Sequence, residues 1–256
     1  MTKVAIVQAR MSSTRFPGKV LKEVNKKPLI LHQIERIARS KHIEEIVVAT
    51  STNSADDEIE KLTEKEKINL FRGSEQDVLS RFDGAAQQYG ATVIIRLTAD
   101  CPLSDPEVID YVVTKFLAQS GNCQFATNAI PRTYPAGLEV ECFSRDALKT
   151  ASLEATDEYD REHVTPFFYR NPDRFHPLSI VSRVNYSMER WTLDERKDFH
   201  LIKKIIETLS KIKEDFKMLD ILNILNANPD WRELNSDVQE TPRLVRDTIF
   251  KGAGSE

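Results

Sequence analysis

Apolar runs at Val4 to Val7, Ile46 to Ala49, Ile68 to Phe71 and Val93 to Leu97 are each followed by a longer stretch of helical periodicity, and this alternation constrains the fold more than any other feature of the chain. Consecutive apolar residues suit a strand buried on both faces, and strands that alternate with helices predict a parallel sheet. Helices are expected at Leu29 to Ala38, with Leu29, Ile30, Ile34 and Ile37 on one face, and at Asp56 to Lys67, Gln76 to Tyr89 and Glu107 to Leu117. Asp105-Pro106-Glu107 signals the start of the last, because Asp caps free amides, Pro fits a first turn and Glu suits the positive end of the helix dipole. Past Asn122 the pattern changes. Gln124 to Thr127 and Leu138 to Phe143 read as strands around a turn-rich segment, which predicts an antiparallel excursion. A charged helix over Glu158 to Tyr169 should stop at Asn171-Pro172, with strands at Leu178 to Val184 and Glu189 to Leu193 after it. From Glu195 the chain reads as helical, with Leu201, Ile202, Ile205, Ile206 and Leu209 on one apolar face, and the polar stretch from Asn235 is expected to fray.

The 256 residues, 40% hydrophobic and 30% charged, suit one main domain over 1–210 with a helical extension, 211–256, packed on it. No apolar run approaches the roughly 20 residues of a spanning helix, and the first run ends at a polar Gln8. Neither membrane insertion nor a signal peptide is expected, which places the chain in the cytoplasm. Cys101, Cys123 and Cys142 are odd in number and lack CxxC spacing, so they read as buried small residues rather than as disulfide or zinc positions. With a net charge of -4 and no basic stripe, a nucleic-acid partner is not expected.

Positive charge is nonetheless concentrated at the start: Lys3, Arg10, Arg15, Lys19 and Lys22 all precede the first carboxylate, Glu23. The loop after the first strand therefore lies at the carboxyl edge of the sheet, where ligands bind, and its composition suits phosphate. Arg10 and Arg15 can fork onto phosphate oxygens, Ser12, Ser13 and Thr14 can donate hydroxyl hydrogen bonds, and Lys19 is a point charge. With only Gly18 it is neither a P-loop nor a dinucleotide-binding turn. Asp100 ends another strand on the same edge, as a candidate ligand for a hard cation or as a turn cap. Asp194, in Arg190-Trp-Thr-Leu-Asp194, is a candidate second carboxylate or an ordinary helix N-cap.

Ala9-Arg-Met-Ser-Ser-Thr-Arg-Phe-Pro-Gly-Lys19 resembles the signature of the cytidylyltransferases that make CMP-activated acidic sugars, closest to the spore coat polysaccharide biosynthesis protein F type. Glu45 to Ser51, Phe71 to Leu79, Arg96 to Leu103, Gly137 to Glu141, Arg161 to Thr165 and Trp191 to Asp194 support the resemblance, which covers roughly residues 3 to 200. It implies an α/β/α sandwich of the nucleotide-diphospho-sugar transferase type, and the reaction CTP + sugar → CMP-sugar + pyrophosphate with Mg2+. It also implies that Arg10, Ser13, Arg15 and Lys19 hold the triphosphate, that Asp100 and Asp194 hold the metal, and that Arg72, Ser74 and Asp77 position the base and ribose. Thr98-Ala99-Asp100 stands where 3-deoxy-octulosonate cytidylyltransferases usually show Gln-Gly-Asp, and Gln8 stands where they show Pro. Glu139, Glu141, Glu162 and His163 fall in segments that would line the sugar side. The first two share one strand face, equally a solvated face, and His163 reads as mid-helix, where a helix-packing histidine is the usual finding. Arg132 and Tyr134 lie in a turn-rich loop that would serve as a flap.

Related enzymes are commonly dimers, and Leu219, Ile221, Leu222, Ile224 and Leu225 offer apolar surface for a homodimer. The alternatives are a sugar-phosphate nucleotidyltransferase using another nucleotide, in which a glycine-rich first loop would be expected, and a catalytically silent partner subunit, against which the arginines, Lys19 and Asp100 argue.

Overall fold

The computed structural model describes residues 1–119 and 121–238. The chain runs β1 (Lys3–Gln8), a hairpin of β2 (Glu23–Val24) and β3 (Lys27–Pro28), α1 (Leu29–Ile37), β4 (Glu45–Ser51), α2 (Asp57–Glu66), β5 (Asn69–Gly73), α3 (Val78–Gln88), β6 (Val93–Thr98) and α4 (Pro106–Leu117). There follow β7 (Phe125–Thr127), β8 (Glu141–Ser144), α5 (Arg145–Glu154), α6 (Glu158–His163), α7 (Pro166–Arg170), α8 (Pro172–Phe175), β9 (Leu178–Ser179), α9 (Arg196–Leu209), α10 (Met218–Ala227) and a 3-10 helix over Pro229–Asn235. The order across the main sheet is β5-β4-β1-β6-β8-β7-β9. β1 pairs in parallel with both β4 and β6, and only β8 runs against its neighbours. The expected parallel sheet and its antiparallel excursion are both present.

Alternate residues of the central strands face opposite layers, as strand geometry requires. Ala5, Val7, Val48, Ile95 and Leu97 meet α1, α4 and α9, whereas Val4, Ile6, Val47, Ala49 and Ile94 meet α3, α5 and α7. The result is an α/β/α sandwich with the carboxyl ends of β1, β4 and β6 opening on one edge.

Several local expectations are corrected. The helix foreseen over Glu158 to Tyr169 is broken in two: Val164 takes a φ of 70° and Pro166 opens α7. A proline amide cannot bond back to Glu162, and its ring would strike that carbonyl, so one continuous helix is not available. Pro172 likewise starts α8 instead of merely ending its predecessor. The strand foreseen at Leu178 to Val184 shrinks to Leu178–Ser179, and Glu189 to Leu193 forms no strand of its own, its ladder pairing reduced to the isolated Ala136–Arg190 bridge. β8 begins at Glu141, so Glu139 lies outside it and the two do not share a strand. Helix α5 was not foreseen, because its inward residues are Ala147, Leu148 and Ala151, a weak apolar signal; Ser144 caps it through the amide of Ala147 at 3.0 Å.

The apolar face of α10 is consumed internally, with Ile221, Leu222 and Leu225 buried, so it is not the free dimer surface anticipated; Leu219 alone stays well exposed, at 61%. Helices α9 and α10 pack on the main core, while the part of the extension beyond residue 238, and the stretch expected to fray past that point, lie outside the described residues. All three cysteines are buried, and none forms a disulfide. Among the described residues no helix is long and apolar enough to cross a membrane.

Candidate active site at the carboxyl edge of the sheet

β1 delivers the cationic loop, and the loop is held by its backbone. Ala9 donates to the carbonyl of Ala49 at 3.1 Å, Met11 to Asp56 Oδ1 at 2.7 Å, and the amides of Ser13 and Gly18 both reach the carbonyl of Met11, at 2.9 and 3.0 Å. Gly18 adopts a left-handed φ of 67°, a turn that a residue without Cβ makes at little cost. Phe16 is buried against Phe199, ring centroids 6.1 Å apart, and pins the loop from below. Arg10, Ser12, Thr14 and Arg15 are left exposed. Ser12 donates to Glu75 at 2.9 Å, while the Ser13 hydroxyl accepts from the amide of Phe16 at 3.4 Å.

Lys19 turns inward and joins the two aspartates. Its Nζ lies 3.0 Å from Asp194 Oδ1, 3.4 Å from Asp100 Oδ2 and 2.6 Å from the carbonyl of Leu193. Burial, the largest influence, works against its charge, but the two aspartates outweigh it and hold the ammonium pKa above its ordinary value. Arg15 lies 3.3 Å from Asp194 and 3.5 Å from Glu195. Asp194 is not the helix cap. Glu195 takes that position, and both carboxylate oxygens of Asp194 meet cations, Oδ2 receiving Arg190 at 3.0 Å.

The segment carrying Asp194 is fixed by close backbone contact. Leu193 donates to the carbonyl of Asp100 at 2.7 Å, which brings the two acidic residues together directly. Gly137, at a φ of 103°, lies so near that a Cβ there would stand 2.7 Å from the carbonyl carbon of Trp191. Beneath, Asp198 is fully buried and accepts from the amides of Asp194 and Glu195 at 2.9 Å, from Arg190 at 3.0 and 3.1 Å, and from Asn235 at 2.9 Å. The loop after Asp100 is gripped from α1: Gln33 donates to the Thr98 carbonyl at 2.9 Å, and Arg36 Nε to that of Ser104 at 2.8 Å.

The opposite side of the edge, over α3, is a second polar region. Arg96 pairs with the buried Glu141 and also donates twice to Gln8. Glu141 further accepts from Thr165 at 2.9 Å and Tyr169 at 2.6 Å. Arg81 is buried and donates to the carbonyl of Ser74 at 2.6 Å, but among the described residues its Nε has no hydrogen-bond partner. Burial pushes its pKa down to about 10, with Arg10 and Arg96 adding to the effect and Asp56 and Glu75 opposing it. Thr98 ends β6 beside this region, its hydroxyl 3.3 Å from Cys101 Sγ.

The remaining predicted residues are dispersed. Arg72 is tied to Asp57 and Glu60 and to the carbonyls of Ser51 and Asn53. Asp77 caps α3 through the Ser80 amide and clasps Arg161 at 2.6 and 2.8 Å, while the Ser74 hydroxyl accepts from the Asp77 amide at 3.0 Å. Glu139 accepts from the amide of Gly137 at 2.7 Å. Glu162 and His163 are exposed at the end of α6, His163 against the Tyr159 ring at 4.2 Å, rather than mid-helix. Tyr134 is 8% exposed and packs in the core, an anchored position for a residue foreseen in a flap; Arg132 is half-buried, with Nη2 3.4 Å from the carbonyl of Ser187. Sequence reasoning gave no site role to Asp56, Arg81, Arg190 and Asp198; Arg190 opens the quoted motif four residues before Asp194 and Asp198 lies four residues after it, and a search for charges at that spacing would have singled out both.

Among the described residues no group of three or more His, Cys, Asp or Glu is placed to hold a metal. Asp100 and Asp194 offer two hard carboxylates, partly exposed at 28% and 20%, a set that suits a cation taking its other oxygens from phosphate and water.

A twisted parallel sheet whose carboxyl edge joins a cationic loop to two aspartates is the arrangement of a nucleotidyltransferase. The cytidylyltransferase family model matches residues 4–236, and the chain belongs to that family. It is 35% identical to an uncharacterised protein of Methanocaldococcus jannaschii over 94% of this chain and 97% of that one. It is 32% identical to the spore coat polysaccharide biosynthesis protein SpsF of Bacillus subtilis, over 88% of this chain and 94% of the relative. Among solved structures, a cytidylyltransferase of Leptospira borgpetersenii superposes with a TM-score of 0.87 at 31% identity, covering 94% of this chain and 99% of that one. A CMP:2-keto-3-deoxy-manno-octonic acid synthetase complexed with CTP shares the fold, with a TM-score of 0.64 at 17% identity over 82% of this chain and 100% of the other.

Proposed function

We propose that the protein activates an acidic 2-keto sugar for surface polysaccharide synthesis, with CTP as donor and magnesium at the Asp100–Asp194 pair. The observation that carries this reading is the convergence of Lys19, Arg15, Asp100 and Asp194 from three separate chain segments onto one edge. Arg10, Ser13, Arg15 and Lys19 would hold the triphosphate, with Ser12 and Thr14 adjoining. A sugar hydroxyl would form a bond to the α-phosphorus as the α–β phosphoanhydride breaks, and the charge growing on the departing pyrophosphate would fall to Arg15 and Lys19. Magnesium, held by the two aspartates, would supply further charge neutralisation at the phosphates. The choice of acceptor draws on the polysaccharide role in the name of the Bacillus relative and on the acid named in that of the CTP-bound synthetase. Thr98, Arg72, Ser74 and Asp77 remain candidates for the nucleoside end, and Glu139, Glu162 and His163 for the sugar end, whereas Glu141, 3% exposed and paired with Arg96, would serve as a buried support.

The test is pyrophosphate release from CTP and magnesium across a panel of 2-keto acidic sugars, with Asp100→Asn and Arg15→Ala in parallel. Each variant should lose on the order of 10² to 10³ in turnover while still folding. Near-normal release by Asp100→Asn would remove the metal assignment, and release from another nucleotide would change the donor.

A further inference from the structure

Gln8 closes β1 in register with Thr98 of β6 and Ala49 of β4, two residues ahead of Arg10. Its side chain lies on the α3 face, and its Oε1 accepts from Arg96 Nε at 3.2 Å and Nη2 at 3.0 Å. A guanidinium can only donate, so the atom facing it must be the amide oxygen. The ambiguity that usually attends a glutamine amide is removed by that chemistry, and the NH2 group is turned away from Arg96. Among the described residues no acceptor takes the Nε2 hydrogens.

Arg96 is itself immobilised. Glu141 pairs with Nη1, the Phe82 ring lies 5.7 Å from the guanidinium, and Glu141 is held by Thr165 and Tyr169 on its other oxygen. Exposure of the Arg96 and Glu141 side chains is 10% and 3%. This is a preorganised support, so the direction of the Gln8 donors is set before any ligand arrives.

We infer that Gln8 reads the nucleobase and selects CTP over UTP. The inference rests on the cytidylyl reading above. If the triphosphate occupies residues 10–19 and the Asp100–Asp194 pair, the base end falls on the rest of the same edge, over α3, where Gln8, Arg81, Arg96 and Thr98 gather. Cytosine presents bare acceptors at O2 and N3. Uracil keeps O2 but carries a hydrogen on N3, so the fixed NH2 of Gln8 would meet a donor with a donor. Discrimination of this kind is strong because the mismatched base leaves desolvated polar groups unpaired.

The experiment compares dissociation constants for CTP and UTP, each with magnesium, in the wild type, Gln8→Glu and Gln8→Leu, with unfolding scans of all three. Glutamate keeps an oxygen toward Arg96 and presents an acceptor in place of the NH2. The CTP preference should therefore fall on the order of tenfold or more in Gln8→Glu, through weaker CTP and relatively better UTP binding. Gln8→Leu should lose selectivity without gaining UTP, and it keeps the question decidable if the glutamate variant does not fold. A wild type that binds CTP no better than UTP overturns the cytidylyl reading and this inference with it. A selective wild type whose ratio is unchanged in the folded variants overturns the role of Gln8 alone.

Discussion

Lys19 sits between two carboxylates that would otherwise repel each other, so it is structural as well as a candidate phosphate ligand. Its folded pKa is raised above the ordinary 10.5. The stability it contributes is therefore fully present below the unfolded value and is lost only as pH rises through the higher folded one. In Lys19→Met the unfolding difference from wild type should hold constant from neutral pH to about 10 and then vanish in more alkaline solution; a difference that shrinks below pH 9 would contradict it. Gly137 makes a second prediction at this scale. Gly137→Ala places a Cβ within 2.7 Å of the Trp191 backbone at a φ of 103°, so the segment bearing Asp194 must shift. A loss of about 1–3 kcal/mol in chemical unfolding, with a larger fall in pyrophosphate release than in CTP binding, is expected. Lys19, Asp100 and Asp194 were legible because each closes a short motif that follows an apolar or strand-like run in the sequence. Asp56 and Arg81 were not, since what marks them is their burial, which no sequence motif announces.

The 3-10 helix of Pro229–Asn235 shows what an element can do for a remote site. Asn235 donates to Asp198 at 2.9 Å and to the carbonyl of Arg190 at 3.1 Å, so the far end of the chain braces the pair beneath Asp194. Asn235→Leu leaves a buried carboxylate short of one donor. A cost of about 1–3 kcal/mol is expected, with turnover falling and the KM for CTP little changed; equal losses in both would point to a general loss of fold. The clasp between α3 and α6 responds to acid. Burial alone would raise the Asp77 pKa, but Arg161 and the Ser80 amide outweigh it and bring it below the usual 3.8. Its contribution is present above that value and is lost as pH falls through the lower folded one, so Arg161→Met should narrow its stability deficit only in strong acid. The break at Val164 was written in Pro166, but the run of charges from Glu158 masked it; α5 was hidden by the small size of its buried residues.

At the scale of the molecule, the parallel half was legible because β1, β4, β5 and β6 carry apolar runs between helices long enough to show their period. The later half was less so. β9 and the segment before Asp194 pair through two residues or one, and strands that short leave no alternation to read. Yet that irregular half supplies Asp194, Arg190 and Gly137, so the site exists only when both halves are assembled, and a ligand that bridges them should stabilise the whole. With magnesium and CTP at about 100 times the dissociation constant, mass action adds roughly 2.7 kcal/mol. For a chain of this size that is roughly 5–10 °C in the unfolding midpoint. The shift should be absent with magnesium alone and smaller with UTP. In Asp194→Asn it should be reduced, because the amide keeps an acceptor toward only one of Lys19 and Arg190, turns an NH2 on the other, and removes the charge that ties the late segment to the phosphate loop. A full shift in that variant would mean that CTP is held by the parallel half alone.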